Sequence, residues 1–256
     1  MLCLDTHKLI IIVMTTIIVL LVIKNNLIKQ EMYNNTSSEK ICIIQYDDRK
    51  KLPENLQKLI NFNKEYCKDK PYIDFIYMNY HDISPYWMKV KLVKNKLNEL
   101  YQSKEKYKYV MWLDTDATVI NVKDNLIDFI EKYIKDKDVL ISSDMPPWLG
   151  PFNAGVFVFR NTRISREIIQ EWLNLYDNKK WVYETNNKWK CDGCDWSDVN
   201  YEQGSFIKYI IPKYRNNIRI VSWIVLNNPN YARYKYNVIY HFASKYKQYI
   251  SEVLFP

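Results

Sequence analysis

Asp114 and Asp116 stand one residue apart, directly after the apolar run Tyr109 to Leu113 (YVMWL). Two acids so spaced point to opposite faces of an extended chain, but at the end of a strand the turn lets both reach one crevice. A hard divalent cation suits that pair. Mg²⁺ or Mn²⁺ takes one or two carboxylates and completes its octahedron with water and the phosphates of a substrate. The bland alternative is that Asp114 caps a turn and Asp116 caps a helix. A second set of reactive residues is Cys191-Asp-Gly-Cys194, which has the spacing of half a zinc knuckle, although no second CxxC or close His pair completes four ligands. Cys3 lies apart near the N-terminus, leaving Cys42, Cys67, Cys191 and Cys194 to pair in alternative ways. For Cys191 and Cys194 a local disulfide or two free thiols in a loop is expected.

Acids at a strand end bind something only if the surrounding elements make that end a ligand site. From residue 41 onward strand-like and helix-like segments alternate without a break in composition, which predicts one α/β domain over 41–256. Ile41 to Tyr46 reads as a buried strand, followed by a helix after Pro53 and a second strand from Ile73 to Met78. Ser84-Pro85 reads as N-cap plus first-turn proline of a helix with Tyr86, Val90, Val93, Leu97 and Leu100 inward and its lysines facing elsewhere. Tyr109 to Leu113 is a third, fully buried strand. After it come a helix near 123–134, strands at Val139 to Ser142 and Gly155 to Phe159, and a helix with Ile164, Ile168, Trp172 and Leu175 inward. Ligands of open α/β sheets bind at the C-terminal ends of the strands, where Asp114 and Asp116 fall. No internal repeat is present.

Composition narrows the classes. With 256 residues, 48% hydrophobic and 26% charged, the chain is long enough to bury a full core, which excludes disorder and collagen-like architecture. The net charge of +8 suits nucleic acid, an anionic membrane surface or a phosphate-bearing ligand. The abundance of Lys, Asn, Ile and Tyr is what AT-rich codons would give, and no nucleic-acid-binding motif accompanies the charge, so no nucleic-acid partner is expected. Only 4 glycines occur, and neither a P-loop nor a dinucleotide fingerprint is found. The N-terminus is different material: Leu9 to Ile23 carries no charge and is bracketed by Lys8 and Lys24. As a helix it would span about 22 Å, short of a hydrocarbon core of about 30 Å, so a signal peptide is its rival. No small-x-small cleavage site follows it. The expected organisation is a tail at 1–8, a transmembrane signal anchor at 9–23, a polar stalk at 24–40 with glycosylation sequons at Asn34 and Asn35, and the domain at 41–256.

An apolar strand running into Asp-x-Asp serves two chemistries. Read as VMWLDTDATV, it fits the nucleophile motif of haloacid-dehalogenase-type phosphatases, with Asp114 becoming phosphorylated and Asp116 acting as acid/base. That motif usually stands close to the start of its domain, whereas here a whole βαβα stretch precedes it. Further residues follow in an order that favours the other chemistry: Ser143-Asp144, Phe152-Asn153-Ala154-Gly155-Val156, Glu202-Gln203-Gly204, and His241-Phe242-Ala243-Ser244-Lys245-Tyr246-Lys247. With these and Trp112-Leu113-Asp114-Thr115-Asp116, the sequence over roughly 41–250 resembles the GT-A glycosyltransferases. Within them it is similar to the retaining nucleotide-sugar families typified by glycogenin-like enzymes and the galactosyl, mannosyl and xylosyl transferases of the secretory pathway. One position departs from the pattern: the family's HFxGxxK has Ser244 in place of Gly, where backbone approaches phosphate.

The resemblance implies a GT-A (Rossmann-like) domain with a mostly parallel central sheet, and a metal-dependent transfer of a hexose or pentose. The donor would be a nucleotide diphosphate-sugar, UDP-sugar favoured over GDP-mannose, and the acceptor a hydroxyl of a glycan or glycoprotein, with retention of configuration. Mn²⁺ or Mg²⁺ would be held by Asp114, Asp116 and His241, and the diphosphate by Lys247. Asn153, Ala154 and Gly155 would lie along the donor, with Asp144, Glu202 and Gln203 at the reacting centre. Lys91, one turn from Trp87, would either touch the donor or stand solvated. Segment 177–200, dense in Trp, would be an acceptor loop or a mobile surface loop. Placement would be that of a single-pass type II membrane protein on the Golgi or ER lumenal face. A non-catalytic sugar-binding domain is the remaining alternative to transferase and phosphatase.

Overall fold

Burial with a period of two builds the sheet. Strand β1 (Lys40–Tyr46) sends Cys42, Ile44 and Tyr46 into one apolar cluster and Ile41 and Ile43 into another. A strand buried on both faces belongs inside a sheet covered by helices on each side. In the computed structural model, which describes residues 14–24, 39–103, 106–120, 125–148, 150–184, 188–229 and 238–251, that is its place. It lies between β2 (Ile73–Met78) and β3 (Tyr107–Leu113), parallel to both. With β5 (Val139–Ser142), β6 (Val156–Arg160) and β9 (Ile218–Val221) the order is β2-β1-β3-β6-β5-β9. Only β6 runs against its neighbours, so the sheet is mostly parallel.

Helix α1 (Glu54–Lys68), opened by Pro53, and α3 (Leu126–Ile134) carry residues of the cluster around Ile41 and Ile43. Helices α2 (Pro85–Gln102) and α4 (Arg163–Leu173) cover the opposite face. Local caps fix where these helices start. Asn125 Oδ1 accepts from Ile127 N at 2.8 Å, and Thr162 Oγ1 from Ser165 N at 3.1 Å, each satisfying a first-turn donor. In α4, Ile168 and Trp172 point inward as expected, while Leu175 lies past its end. Two short antiparallel pairs complete the domain: β4 (Ala117–Val119) with β10 (Ile239–His241), and β7 (Trp181–Tyr183) with β8 (Trp189–Cys191).

Cys191 and Cys194 form a disulfide. Cys42 and Cys67 are free and buried, and burial pushes both thiols up to about 12, which makes them inert.

The chain divides into two units, Met1–Glu39 and Lys40–Pro256. In the first, residues 14–24 are helical, with exposed apolar side chains. The rest of the expected anchor (9–13), the tail and residues 25–38 of the stalk, with Asn34 and Asn35, lie outside the described residues. Among the described residues no helix is long and apolar enough to cross a membrane.

Candidate active site

The C-terminal end of β3 delivers Asp114 to the floor of a cleft of about 510 Å³. Its backbone N–H donates to Gly155 O at 2.8 Å, because β6 pairs antiparallel with β3 and starts beside it. Asp114 Oδ1 accepts from Trp112 Nε1 at 2.7 Å and from Lys89 Nζ at 3.0 Å. Lys89 also donates to Ala154 O at 3.1 Å and stands 3.4 Å from Glu202 Oε1. Burial pulls the Lys89 ammonium down, but Asp114 and Glu202 outweigh it and hold the group protonated. Burial pushes the Glu202 carboxyl up, Lys89 opposes that, and the net direction is upward.

The expectation that the lysines of α2 face away from the core is therefore corrected: Lys89 is buried. Lys91, expected either at the donor or solvated, pairs with Asp82 and does not line the cleft. Two residues along a helix is about 200° of rotation, so the two lysines take opposite sides. A signal for Lys89 was present, since it continues the buried stripe Val93 and Leu97 at steps of four.

The third ligand comes from the far end of the chain. Antiparallel pairing of β10 with β4 sets His241 opposite Ala117, and Phe242 N donates to Asp116 O at 2.8 Å. Asp114, Asp116 and His241 thereby offer ligand atoms within 4.8 Å of one another. Asn227 sets the tautomer. Its Nδ2 donates to Ser142 Oγ, so its Oδ1 faces His241 Nδ1 at 3.1 Å and accepts a hydrogen bond from the Nδ1–H. Nε2 faces Asp116 Oδ1, 3.3 Å away, as a donor when the ring is protonated and as a lone pair when it is neutral. Two lone pairs that close require positive charge between them, and two carboxylates with one imidazole suit a divalent cation. Lys247 Nζ is 2.5 Å from Asp116 Oδ2. Burial pushes the Asp116 carboxyl up, but the protonated form of His241 and the Lys247 ammonium beside it hold it well below the usual range.

The wall is built by the turn before β6. Asn153 Oδ1 accepts from Gly155 N at 2.9 Å, its Nδ2 donates to Asp144 Oδ1 at 3.1 Å, and Gln203 Oε1 accepts from Ala154 N at 2.9 Å. Helix α5 (Glu202–Ser205), which runs on through a π turn at Phe206–Ile210, supplies Glu202 and Gln203. Gly155 admits no side chain: a Cβ there would stand 2.0 Å from His241 Cε1. Ser244 lines the same cleft with φ of 54°, the left-handed conformation that favours glycine. Ser thus holds the backbone shape expected of the missing Gly. Apart from Lys91, every residue expected at the site lines this cleft.

Sequence reasoning missed Lys89, Asn227 and a second cleft of about 610 Å³, which shares Tyr86, Lys89 and Asp114 with the first. At its base Asp47 Oδ2 accepts from Thr115 Oγ1 at 2.9 Å, and Arg49 Nε donates to Asp47 Oδ1 at 2.7 Å. The signal was the charged run Asp47 to Lys51 at the C-terminal end of β1, the strand-end position already applied to β3.

Neither a protein-family model nor a curated protein matches the chain. Solved structures do. The crystal structure of a glycosyltransferase involved in the glycosylation of the major capsid of PBCV-1 is similar at a TM-score of 0.63 and 17% identity, over 84% of this chain and 98% of that one. This establishes a glycosyltransferase fold. The WbbM bifunctional glycosyltransferase in its apo form (TM-score 0.47, 11% identity, 85% of this chain and 50% of that chain) and mouse xyloside xylosyltransferase 1 in its apo form (0.41, 10%, 79% and 97%) align less well and carry no argument.

Proposed function

We propose that the chain is a metal-dependent glycosyltransferase that moves a sugar from a nucleotide diphosphate-sugar, UDP-sugar favoured, to a hydroxyl of a glycan or glycoprotein. The observation that carries this reading is the convergence of Asp114, Asp116 and His241 in the first cleft, with Asp114 lining the second cleft as well. A nucleoside in the cleft of Asp47 and Arg49 and a sugar in the cleft of Asp144 and Gln203 would place the diphosphate between them, against those ligands.

Mn²⁺ or Mg²⁺ bound there would offset the negative charge that grows on the departing diphosphate. Lys247 turns from Asp116 to the same oxygens and stabilises the leaving group. Asp144 and Asn153, tied to one another, orient the sugar hydroxyls. The bond from the anomeric carbon to phosphate breaks as the acceptor oxygen bonds to that carbon, and the acceptor proton passes to the departing phosphate. Glu202 and Gln203 lie beside the reacting carbon, Glu202 held by Lys89 and Gln203 by Ala154 N. Retention of configuration rests on the resemblance of the EQG and HFASKYK segments. The phosphatase reading has less support, because two strands and two helices precede the Asp-x-Asp strand, whereas the nucleophile motif of those enzymes usually stands close to the start of its domain. Anchorage by Leu9 to Ile23 in a lumenal compartment is part of the proposal, supported by the uncharged run and by the Cys191–Cys194 disulfide, which suits an oxidising environment.

The test takes the full chain in detergent with a panel of nucleotide sugars and Mn²⁺, with and without chelator, and measures nucleoside diphosphate release. Chelator-sensitive release from one donor is expected, with Asp116→Ala lowering it by about 10³-fold. Phosphate release from p-nitrophenyl phosphate in place of donor cleavage would overturn the assignment.

A further inference from the structure

We infer that Trp148 and Trp196 form the acceptor platform of the first cleft, and that the acceptor they take is a carbohydrate presenting the apolar face of a pyranose ring. The inference rests on the transferase reading above. All eight tryptophans fall in described residues, and six are buried or half-buried. Trp148 and Trp196 are 56% and 73% exposed, and both line the cleft that holds the metal-ligating group. Large apolar surface left open beside a polar floor marks a ligand site.

Both indoles stand on constrained loops. The ring of Trp196 lies 5.4 Å from Tyr86 and 5.1 Å from Tyr201, centroid to centroid. Its loop is anchored at Asn200, whose carbonyl accepts from Trp87 Nε1 at 2.9 Å and Trp181 Nε1 at 3.1 Å. The loop also presses on α5 where Gly204 leaves no room for a Cβ, which would meet Asp198 O at 2.0 Å. Trp148 N donates to Met145 O at 3.0 Å, within a turn that Asp144 N closes on Gly150 O at 2.7 Å. The platform is therefore tied to Asp144, the residue assigned to the donor sugar. Surfaces ordered before binding lose less entropy when a ligand arrives.

A pyranose with mostly equatorial hydroxyls turns its axial C–H bonds outward, and their slight positive charge meets the negative face of an indole. A nucleobase would stack as well, but the donor's base is placed in the other cleft, where Arg49 and Asp47 lie.

The experiment uses the full chain with the donor cleaved in the assay above, and lactose, cellobiose, maltose and xylobiose as acceptors at tens of millimolar. Donor cleavage is measured with and without each sugar in wild type, Trp148→Ala, Trp196→Ala and Trp196→Tyr. At least one sugar is expected to stimulate cleavage and become glycosylated. The alanine variants should raise that sugar's KM about tenfold more than they raise the donor's KM, and Trp196→Tyr should recover part of the loss. A rise confined to the donor's KM would make the platform a nucleobase site and overturn the inference. So would sugar KM values unmoved in both alanine variants, or stimulation by no sugar. Each of those outcomes leaves donor cleavage standing, whereas absence of cleavage from every donor removes the transferase reading itself and the inference with it.

Discussion

Beneath the cleft, Lys89 reaches Asp114 at 3.0 Å and Glu202 at 3.4 Å with almost no access to water, whereas at its rim Trp148 and Trp196 stand 56% and 73% exposed. The two regions tolerate change differently. A buried charge that loses its partner has no water to replace it, so the floor is a unit in which no member can be altered alone. An exposed indole leaves no buried group unsatisfied when removed, so the rim can vary with substrate while the fold stays intact. On the proposed reading, chemistry and specificity fall to regions of unequal stability.

The sharpest way to break that contrast is Lys89→Met. Glu202 is then buried without its cation, and a loss of about 3–5 kcal/mol, seen as a fall in Tm of roughly 10 °C, is expected in thermal unfolding. An unchanged Tm would show that the floor is no more constrained than the rim. Gly155→Ala comes next. Its Cβ overlaps a His241 ring held on the other side by Asn227, which should cost about 1–3 kcal/mol. The variant should also lose the Mn²⁺-dependent rise in Tm that binding confers on wild type. Retention of that rise would mean that His241 is not a ligand.

Away from the cleft the effects shrink. Joint Cys191→Ser and Cys194→Ser replacement removes only a three-residue closure and is expected to lower stability by at most about 2 kcal/mol. Within the domain, iodoacetamide after mild reduction should label Cys191 and Cys194 and spare Cys42 and Cys67, whose thiols burial pushes up to about 12, as read by peptide mass mapping. The smallest effect is that of Lys91→Ala, within about 0.5 kcal/mol and without change in the donor's KM, because Lys91 pairs with Asp82 away from the cleft. A clear rise in donor KM would mean that α2 turns its other side to the donor.

Much of the fold was legible because the signals are local. Apolar runs bounded by turns marked β1, β2 and β3, Pro53 and Pro85 marked helix starts, and the strand-end position singled out Asp114 and Asp116. Lys89 was misread for a reason of kind: a lysine on a helix is ordinarily solvated, so it was passed over in the stripe it shares with Val93 and Leu97. Asn227 could not be read at all, since it acts by a hydrogen bond to a ring whose own place was undetermined. Segment 177–200 was visible as Trp-rich, but residue type alone does not separate Trp181, which is buried, from Trp196, which is exposed.

By itself, then, the sequence determined the periodicities that make an α/β sheet and the acids at the end of its third strand, because each is written in neighbouring residues. Only the tertiary structure decided that His241 stands against Asp116, that Lys89 rather than Lys91 underlies the cleft, and that Trp148 and Trp196 flank it together. Those facts depend on β10 pairing with β4 and β6 with β3, and on which side of α2 meets the sheet. Pairing and packing between segments far apart in the chain are selected by the burial of the whole, which no local pattern specifies.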